Sequence, residues 1–142
     1  MFQNNERNGQ GKELYPSGEY DEGIYKDGEN WNKHGIAIPY ELGIAQAFSR
    51  PSVIIDVDGY HMWYSYRDGS GMKYRIGYSI SDDGVFWENR LNDVGIDVSK
   101  HGWDSEMICY PFVFDHNGER IMLYNGNSHG KEGFGLAKLV EN

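Results

Sequence analysis

The sequence of 142 residues is poor in cysteine, in basic residues and in long apolar runs. Its one cysteine, Cys109, excludes an internal disulfide, and no Cys/His spacing matches a structural zinc site. The 13 Lys and Arg against 22 Asp and Glu give a formal charge of −9. This charge argues against a nucleic-acid partner, because binding to a phosphate backbone needs a basic surface.

No apolar run approaches the roughly 18 residues of a membrane span, and the polar N-terminus has no apolar segment typical of a signal peptide. We therefore expect no membrane partner and a cytoplasmic location. A convincing period of about 3.6 residues is also missing, so no helix longer than a turn is predicted.

Aromatic residues are abundant at 15%, with 11 Tyr and 4 Trp. Such residues suit β-strands, and they also suit stacking on sugars or bases. With 39% hydrophobic and 25% charged residues, the composition is that of a folded domain rather than a disordered chain.

An internal repeat decides the predicted architecture. Each unit has an apolar strand with a proline near its start, a tight hairpin turn (Asp58-Gly59 or Asn117-Gly118), an aromatic second strand and a third strand. In the first of these units the third strand alternates with a period of two from Tyr74 to Ile80, and a short fourth strand is predicted to begin at Val85. A further short strand is predicted at 19–25. Paired landmarks are Pro51 and Pro111 and also Tyr64 and Tyr124, each 60 residues apart, Gly77 and Gly135, 58 apart, and Asp-Gly-x-x-Trp turns at 27–31 and 83–87, 56 apart. A four-stranded unit repeated in this way is typical of a propeller blade, whereas a β-sandwich has no reason to repeat at a fixed offset.

The predicted fold class is therefore all-β, a partial β-propeller of four-stranded antiparallel blades, about two and a half in number. Residues 1–18 are predicted to form a polar N-terminal arm, and residues 19–142 the partial propeller. Within it we assign the outer strands of one blade to 19–40, a complete blade to 48–91 and a blade without its fourth strand to 104–142. Propellers close with about four to eight blades, so we expect either a homo-oligomer or further blades in a longer protein.

Four runs carry a family resemblance: RPSVI at 50–54, YHMWYSYR at 60–67, YRIGYS at 74–79 and GWDSEMICYP at 102–111. They resemble the five-bladed propeller glycosidase-like proteins, which are relatives of glycoside hydrolase families 32 and 43. The resemblance covers residues 19–142 and corresponds to the C-terminal blades only. It implies a central funnel lined by carboxylates, with a saccharide as ligand. We expect neither a metal nor a cofactor.

The resemblance implies that Glu106 is a funnel carboxylate and the candidate catalytic acid. Asp104, two residues earlier, would share its face if both lay in one strand. Glycoside hydrolysis usually needs two carboxylates, roughly 5–5.5 Å or 6.5–9.5 Å apart. Apolar neighbours such as Met107 and Ile108 would favour the protonated form that an acid needs. Alternatively, Asp104 caps a turn and Glu106 forms an ion pair with a basic side chain such as Arg50.

Arg50 could clamp a sugar carboxylate or phosphate bidentately, or form a structural ion pair. His101 could hydrogen-bond a sugar hydroxyl, and Trp103 could stack on a sugar ring or pack between blades. The candidate substrate-binding residues are Arg50, Tyr110, His101, Trp103, Tyr66, Arg67, Asn125 and Asn127.

Two function classes follow. The first is a glycosidase-like enzyme whose site is completed by another copy or by missing blades. The second is a non-catalytic remnant that binds saccharide or associates with itself. The second class stays open because the Asp residues that the family has in its earlier blades lack counterparts in this sequence.

Overall fold

The computed structural model describes the backbone of residues 9–14, 20–25, 31–69, 71 and 73–140, and the side chains from residue 31 onward within these ranges. The chain divides into two units, Met1–Gly35 and Ile36–Asn142.

The first unit contains an antiparallel hairpin of β1 (Gly9–Leu14) and β2 (Tyr20–Tyr25). Strand β2 lies where the sequence predicts a short strand. Strand β1 lies within residues 1–18, the predicted polar N-terminal arm. Its sequence GQGKEL has no alternation, so backbone pairing with β2 rather than a side-chain pattern makes it a strand. The predicted turn before Trp31 lies outside the described residues.

The second unit begins with a four-stranded antiparallel sheet in sequential order. Its strands are β3 (Gln46–Asp56), β4 (Gly59–Arg67), β5 (Tyr74–Ser81) and β6 (Glu88–Asn89). Strand β6 begins later than the predicted start at Val85. The reason is that the carboxylate of Asp83 accepts hydrogen bonds from the N–H groups of Val85 and Phe86, at 2.8 and 2.9 Å, and holds these residues in a turn.

A three-stranded antiparallel sheet follows, with β7 (Cys109–His116), β8 (Glu119–Asn125) and β9 (Phe134–Lys138). The turn from β7 to β8 has left-handed backbone at both Asn117 and Gly118, with φ of 51° and 78°. This is the Asn-Gly hairpin that the sequence predicts. In the described residues, helical backbone is confined to a 3₁₀ turn at Leu91–Asp93 and a four-residue turn at Asn127–Gly130.

The two sheets of the second unit share one apolar core. The buried residues of this core come from both sheets and from the segment before β7: Trp63, Ile76, Ile108, Val113, Met122 and Tyr124. Side chains of the first sheet also accept backbone hydrogen bonds from β7. The N–H of Val113 donates to Ser52 at 2.9 Å, and the N–H of Tyr110 donates to Ser65 at 2.7 Å. The predicted all-β class, with the antiparallel sheets of a partial propeller, is confirmed.

Cys109 is fully buried at the start of β7, as expected for an inert thiol. Burial raises the pKa of its thiol to about 11, while the nearby Arg50 acts weakly in the opposite direction. No helix among the described residues has the length and apolar character needed to cross a membrane.

Candidate functional site

Strands β3 and β7, which begin the two sheets and which we call the inner strands, carry a β-bulge at the same position of the repeat. Pairing of β3 with β4 shifts between Ser49 and Ser52, and pairing of β7 with β8 shifts at the equivalent place. The residue before the proline has left-handed backbone in each bulge, with φ of 51° at Arg50 and 59° at Tyr110. Bulges of this kind re-aim side chains and are frequent beside functional sites.

These bulges bring together a group of cationic and aromatic side chains that we call the bulge cluster: Arg50, Arg67, Tyr74, Tyr110 and His129. The guanidinium carbon of Arg50 lies 4.0 Å from the centre of the Tyr110 ring. The ring centre of Tyr110 is 5.9 Å from that of Tyr74 and 5.8 Å from that of His129. Arg67 stacks on Tyr74 at 4.5 Å and donates a hydrogen bond to its hydroxyl at 3.0 Å. The cluster thus joins three predicted residues to Tyr74 and His129.

Glu106 lies beside this cluster in the loop 102–107, before β7 begins. Its carboxylate is exposed and lies 2.9 Å from the ammonium nitrogen of Lys73. Its carbonyl oxygen accepts a hydrogen bond from Arg75 at 3.0 Å. The basic partner of the Glu106 carboxylate is therefore Lys73 rather than the expected Arg50. The expected apolar surround is not observed either, because Met107 and Ile108 are buried while Glu106 points to solvent.

Asp104, unlike Glu106, is buried. It is 5% exposed, and one carboxylate oxygen accepts a hydrogen bond from the Tyr124 hydroxyl at 3.0 Å. Burial, and then this hydrogen bond, raise the pKa of Tyr124 to about 12. The condition for a shared face fails, since both acids precede the strand. The structure therefore gives Asp104 an anchoring contact with β8, and does not bring it together with Glu106 on an exposed surface.

Asn127 holds the Glu106 loop in place. Its side-chain oxygen accepts hydrogen bonds from the N–H groups of Glu106 and Met107, at 2.8 and 3.2 Å, and its amide nitrogen donates to the Gly102 carbonyl at 3.0 Å. Asn125 donates to the His129 carbonyl at 2.8 Å. Both predicted asparagines thus position the backbone that carries other candidate residues.

Trp103 packs against the three-stranded sheet from the loop before β7. Its ring centre lies 5.4 Å from that of Tyr124, and a Cβ added at Gly135 would lie 2.1 Å from its indole. Trp103 is also one of the partly buried residues that pack against the apolar core shared by both sheets. His101 is exposed in the same loop.

A polar cavity of about 570 Å³ lies next to the Glu106 loop, between β5 and the segment 91–97. Tyr66 forms part of its wall, and burial raises the pKa of the Tyr66 hydroxyl. Arg75 connects the cavity to the loop, because it pairs with Asp97 at 3.4 Å and also donates to the Glu106 carbonyl. Tyr66 thus lines this cavity, and Arg75, which the sequence did not single out, lies between the cavity and the Glu106 loop.

Three potential metal ligands, Asp56, Asp58 and His61, come within 4.8 Å of one another at the hairpin-turn ends of β3 and β4. Each already has a partner in the protein. Asp56 pairs with Arg120 at 2.9 Å, and the His61 ring lies 2.9 Å from Asp58 and 2.6 Å from the Tyr78 hydroxyl. We assign no metal to this group.

The cluster residues that sequence reasoning missed are Tyr74 and His129, together with Lys73 beside them. Tyr74 starts an alternating strand, so it reads as an ordinary core residue. His129 reaches the cluster through the left-handed backbone of Ser128 and His129, with φ of 53° and 59°. The only sequence signal there is a loop rich in Gly, Asn and Ser.

No protein-family model matches the chain. Two uncharacterized proteins of Mycobacterium tuberculosis, MT1551 from strain CDC 1551 / Oshkosh and Rv1502 from strain ATCC 25618 / H37Rv, are each 46% identical to it over 115 residues. The matched region covers 80% of this chain but spans only 38% of either relative's length.

A solved structure described as a glycoside hydrolase matches 94% of this chain and 40% of its own chain. The TM-score is 0.62 and the sequence identity is 15%. This likeness shows that the chain has a glycosidase-like fold.

Proposed function

We propose that this chain forms part of the saccharide-binding site of a glycosidase-like protein. The bulge cluster and the Glu106 loop are the proposed contact surface. The observation that carries the proposal is the meeting of Arg50 and Tyr110, from equivalent bulges of two adjacent inner strands, on a glycosidase-like fold.

The chemistry of the cluster suits a sugar. A saccharide presents apolar C–H faces between hydroxyl groups that both donate and accept hydrogen bonds. The rings of Tyr110 and His129 offer aromatic surface, and the buried Tyr74 packs against both of them. The exposed guanidinium of Arg50 offers several donors in fixed geometry.

Catalysis in this proposal belongs to Glu106 and requires a second carboxylate from elsewhere. Asp104 is buried against Tyr124, so it does not serve as an exposed partner. We propose that another copy of the chain, or further blades of a longer protein, supplies the missing carboxylate.

A second candidate is non-catalytic saccharide binding. The ion pair between Glu106 and Lys73 favours it, because a general acid must lie within hydrogen-bond reach of the leaving oxygen, and Lys73 already occupies this carboxylate at 2.9 Å.

The test combines a glycan array with a panel of aryl glycosides. Wild-type protein is compared with Glu106→Gln and with the control Glu119→Gln, which removes an equally exposed glutamate paired with Lys138 at 2.7 Å. Hydrolysis that Glu106→Gln abolishes and Glu119→Gln preserves would establish the enzyme. Glycan binding without hydrolysis, retained in both variants, would establish the binding module. Absence of binding and of hydrolysis for every glycan would overturn the proposal.

A further inference from the structure

We infer that the saccharide bound at the bulge cluster carries an anionic group, a carboxylate or a phosphate, and that Arg50 recognises it. The inference rests on the proposed function and adds the class of ligand.

The side chain of Arg50 is held so that its donors remain available. Its left-handed backbone conformation belongs to the bulge, and the Tyr110 ring supports one face of the guanidinium at 4.0 Å. Stacking through its face leaves the N–H groups at the edge of the guanidinium plane. That edge matches the two oxygens of a carboxylate or phosphate in a bidentate contact.

Arg50 also differs from other arginines in this acidic chain. Arg75, Arg90 and Arg120 each lie within 3.4 Å of a carboxylate oxygen. Arg50 is exposed and forms no ion pair with any residue that the structure describes. In a chain with a formal charge of −9, an exposed guanidinium without an ion pair in the described part of the chain indicates a binding position for an external anion.

The surroundings support an anion at this place. His129 contacts the same Tyr110 ring as Arg50, and Arg67 stacks on the adjoining Tyr74. The nearby Glu106 carboxylate is neutralised by Lys73 at 2.9 Å, which reduces its repulsion of a bound anion. A bound anion would therefore meet the exposed guanidinium of Arg50 beside a carboxylate whose charge is already compensated.

Arg50→Asn is the informative substitution, because Asn tolerates left-handed backbone and preserves the bulge. Arg90→Asn is the matched control. It removes the same charge from an exposed arginine that pairs with Glu88 and Asp93. Thermal unfolding followed by circular dichroism checks that each variant is folded, and Arg50→Lys serves as a second variant that keeps the charge but loses the planar fork.

The experiment uses an array of neutral, uronic-acid and phosphorylated glycans, followed by calorimetric titration of the strongest binder and of its uncharged counterpart. We expect selective binding of anionic glycans. Affinity should fall by roughly tenfold or more in Arg50→Asn, fall less in Arg50→Lys and stay unchanged in Arg90→Asn. Added salt should weaken the binding. Binding of the uronic-acid glycans would identify the anionic group as a carboxylate, and binding of the phosphorylated glycans would identify it as a phosphate.

The failures of the two proposals are distinguishable. Equal binding of neutral and anionic glycans, with no effect of Arg50→Asn, would overturn the anionic ligand and leave saccharide binding standing. Binding to none of the glycans would overturn both.

Discussion

A glycine faces a tyrosine across the second and third strands of both sheets. Tyr64 pairs with Gly77, and Tyr124 pairs with Gly135. A Cβ at Gly77 would lie 2.5 Å from the Tyr64 ring, and one at Gly135 would lie 2.8 Å from Tyr124 and still closer to Trp103. The aromatic rings therefore occupy the space that the missing side chains leave, which explains why these residues mark the repeat.

Gly135→Ala should destabilise the protein, because the added methyl group would meet Trp103 and Tyr124 in a packed region. The free energy of unfolding should fall by about 1–3 kcal/mol, as measured by urea denaturation. Gly71→Ala is the control, since a Cβ there meets nothing within 4 Å. Equal stability of the two variants would show that the tyrosine–glycine packing contributes little.

Individual site residues were predictable only in part. Arg50 and Tyr110 stand before equivalent prolines, so the repeat itself drew attention to both. The contact between them depends on how two sheets pack, and the contribution of His129 depends on two consecutive left-handed residues. Neither feature has a periodic signal in the sequence. Whether the predicted residues bind substrate stays a prediction.

At the scale of elements, the Glu106 loop is fixed by one side chain. Asn127→Ala removes two hydrogen bonds to the N–H groups of Glu106 and Met107 and one to the Gly102 carbonyl. We expect the free energy of unfolding to fall by about 1–3 kcal/mol and amide exchange at Glu106 and Met107 to accelerate. Hydrogen exchange with mass spectrometry measures the second effect.

Asn127→Asp is the matched control, because its carboxylate can still accept the two backbone hydrogen bonds. Exchange at Glu106 and Met107 should stay slower in this variant than in Asn127→Ala. If Asn127→Ala left the exchange of both amides unchanged, Asn127 would not be the residue that orders the loop.

Strand order was predictable because turns and alternating side chains carry it. Hairpin turns at Asp58 and Asn117 and the period of two in β5 gave the meander of each sheet. The ends of the strands were harder to predict from the sequence, since they depend on individual hydrogen bonds rather than on hydropathy. Asp83 delays β6 through a local turn, and the start of β7 at Cys109 leaves Glu106 in a loop.

Arg120 joins the hairpin-turn ends of the two inner strands. It lies 2.9 Å from Asp56 at the end of β3 and 2.8 Å from Asp115 in β7. Arg120 holds the pKa of Asp115 below its usual range, and the Val57 N–H together with Arg120 does the same for Asp56. The guanidinium thus stabilises the charged forms of carboxylates from two sheets.

This pairing predicts a loss of stability in acid. Because the folded-state pKa values lie below the usual 3.8, the stabilisation is present above about pH 4 and disappears as the pH falls through the folded values. Urea unfolding over a series of pH values measures it. Arg120→Gln should make the acid dependence shallower, whereas Lys138→Gln, which breaks a pair within one sheet, should change it less. Identical profiles for wild type and Arg120→Gln would contradict the assignment.

At the scale of the whole molecule, one face of the three-stranded sheet is apolar. Phe112, Leu123 and Leu136 lie opposite one another across its strands, and Phe134, two residues before Leu136 in β9, shares their face. Phe112 and Leu136 are 60% and 59% exposed. We call this surface the outer apolar row. In a propeller, the face of each blade packs against the next blade, so such a row is the expected position of another sheet.

We therefore predict that the isolated chain associates with itself through the outer apolar row. Light scattering should give a mass that rises with concentration above the 16.3 kDa of one chain. Leu136→Lys should return the mass toward the monomer because a charge cannot be buried there without a partner. Lys substitution at the exposed Glu132 changes the charge outside this row and should have no such effect. A monomer at every concentration would contradict completion of the site by a second copy, and would direct the search for the second carboxylate to further blades of a longer protein.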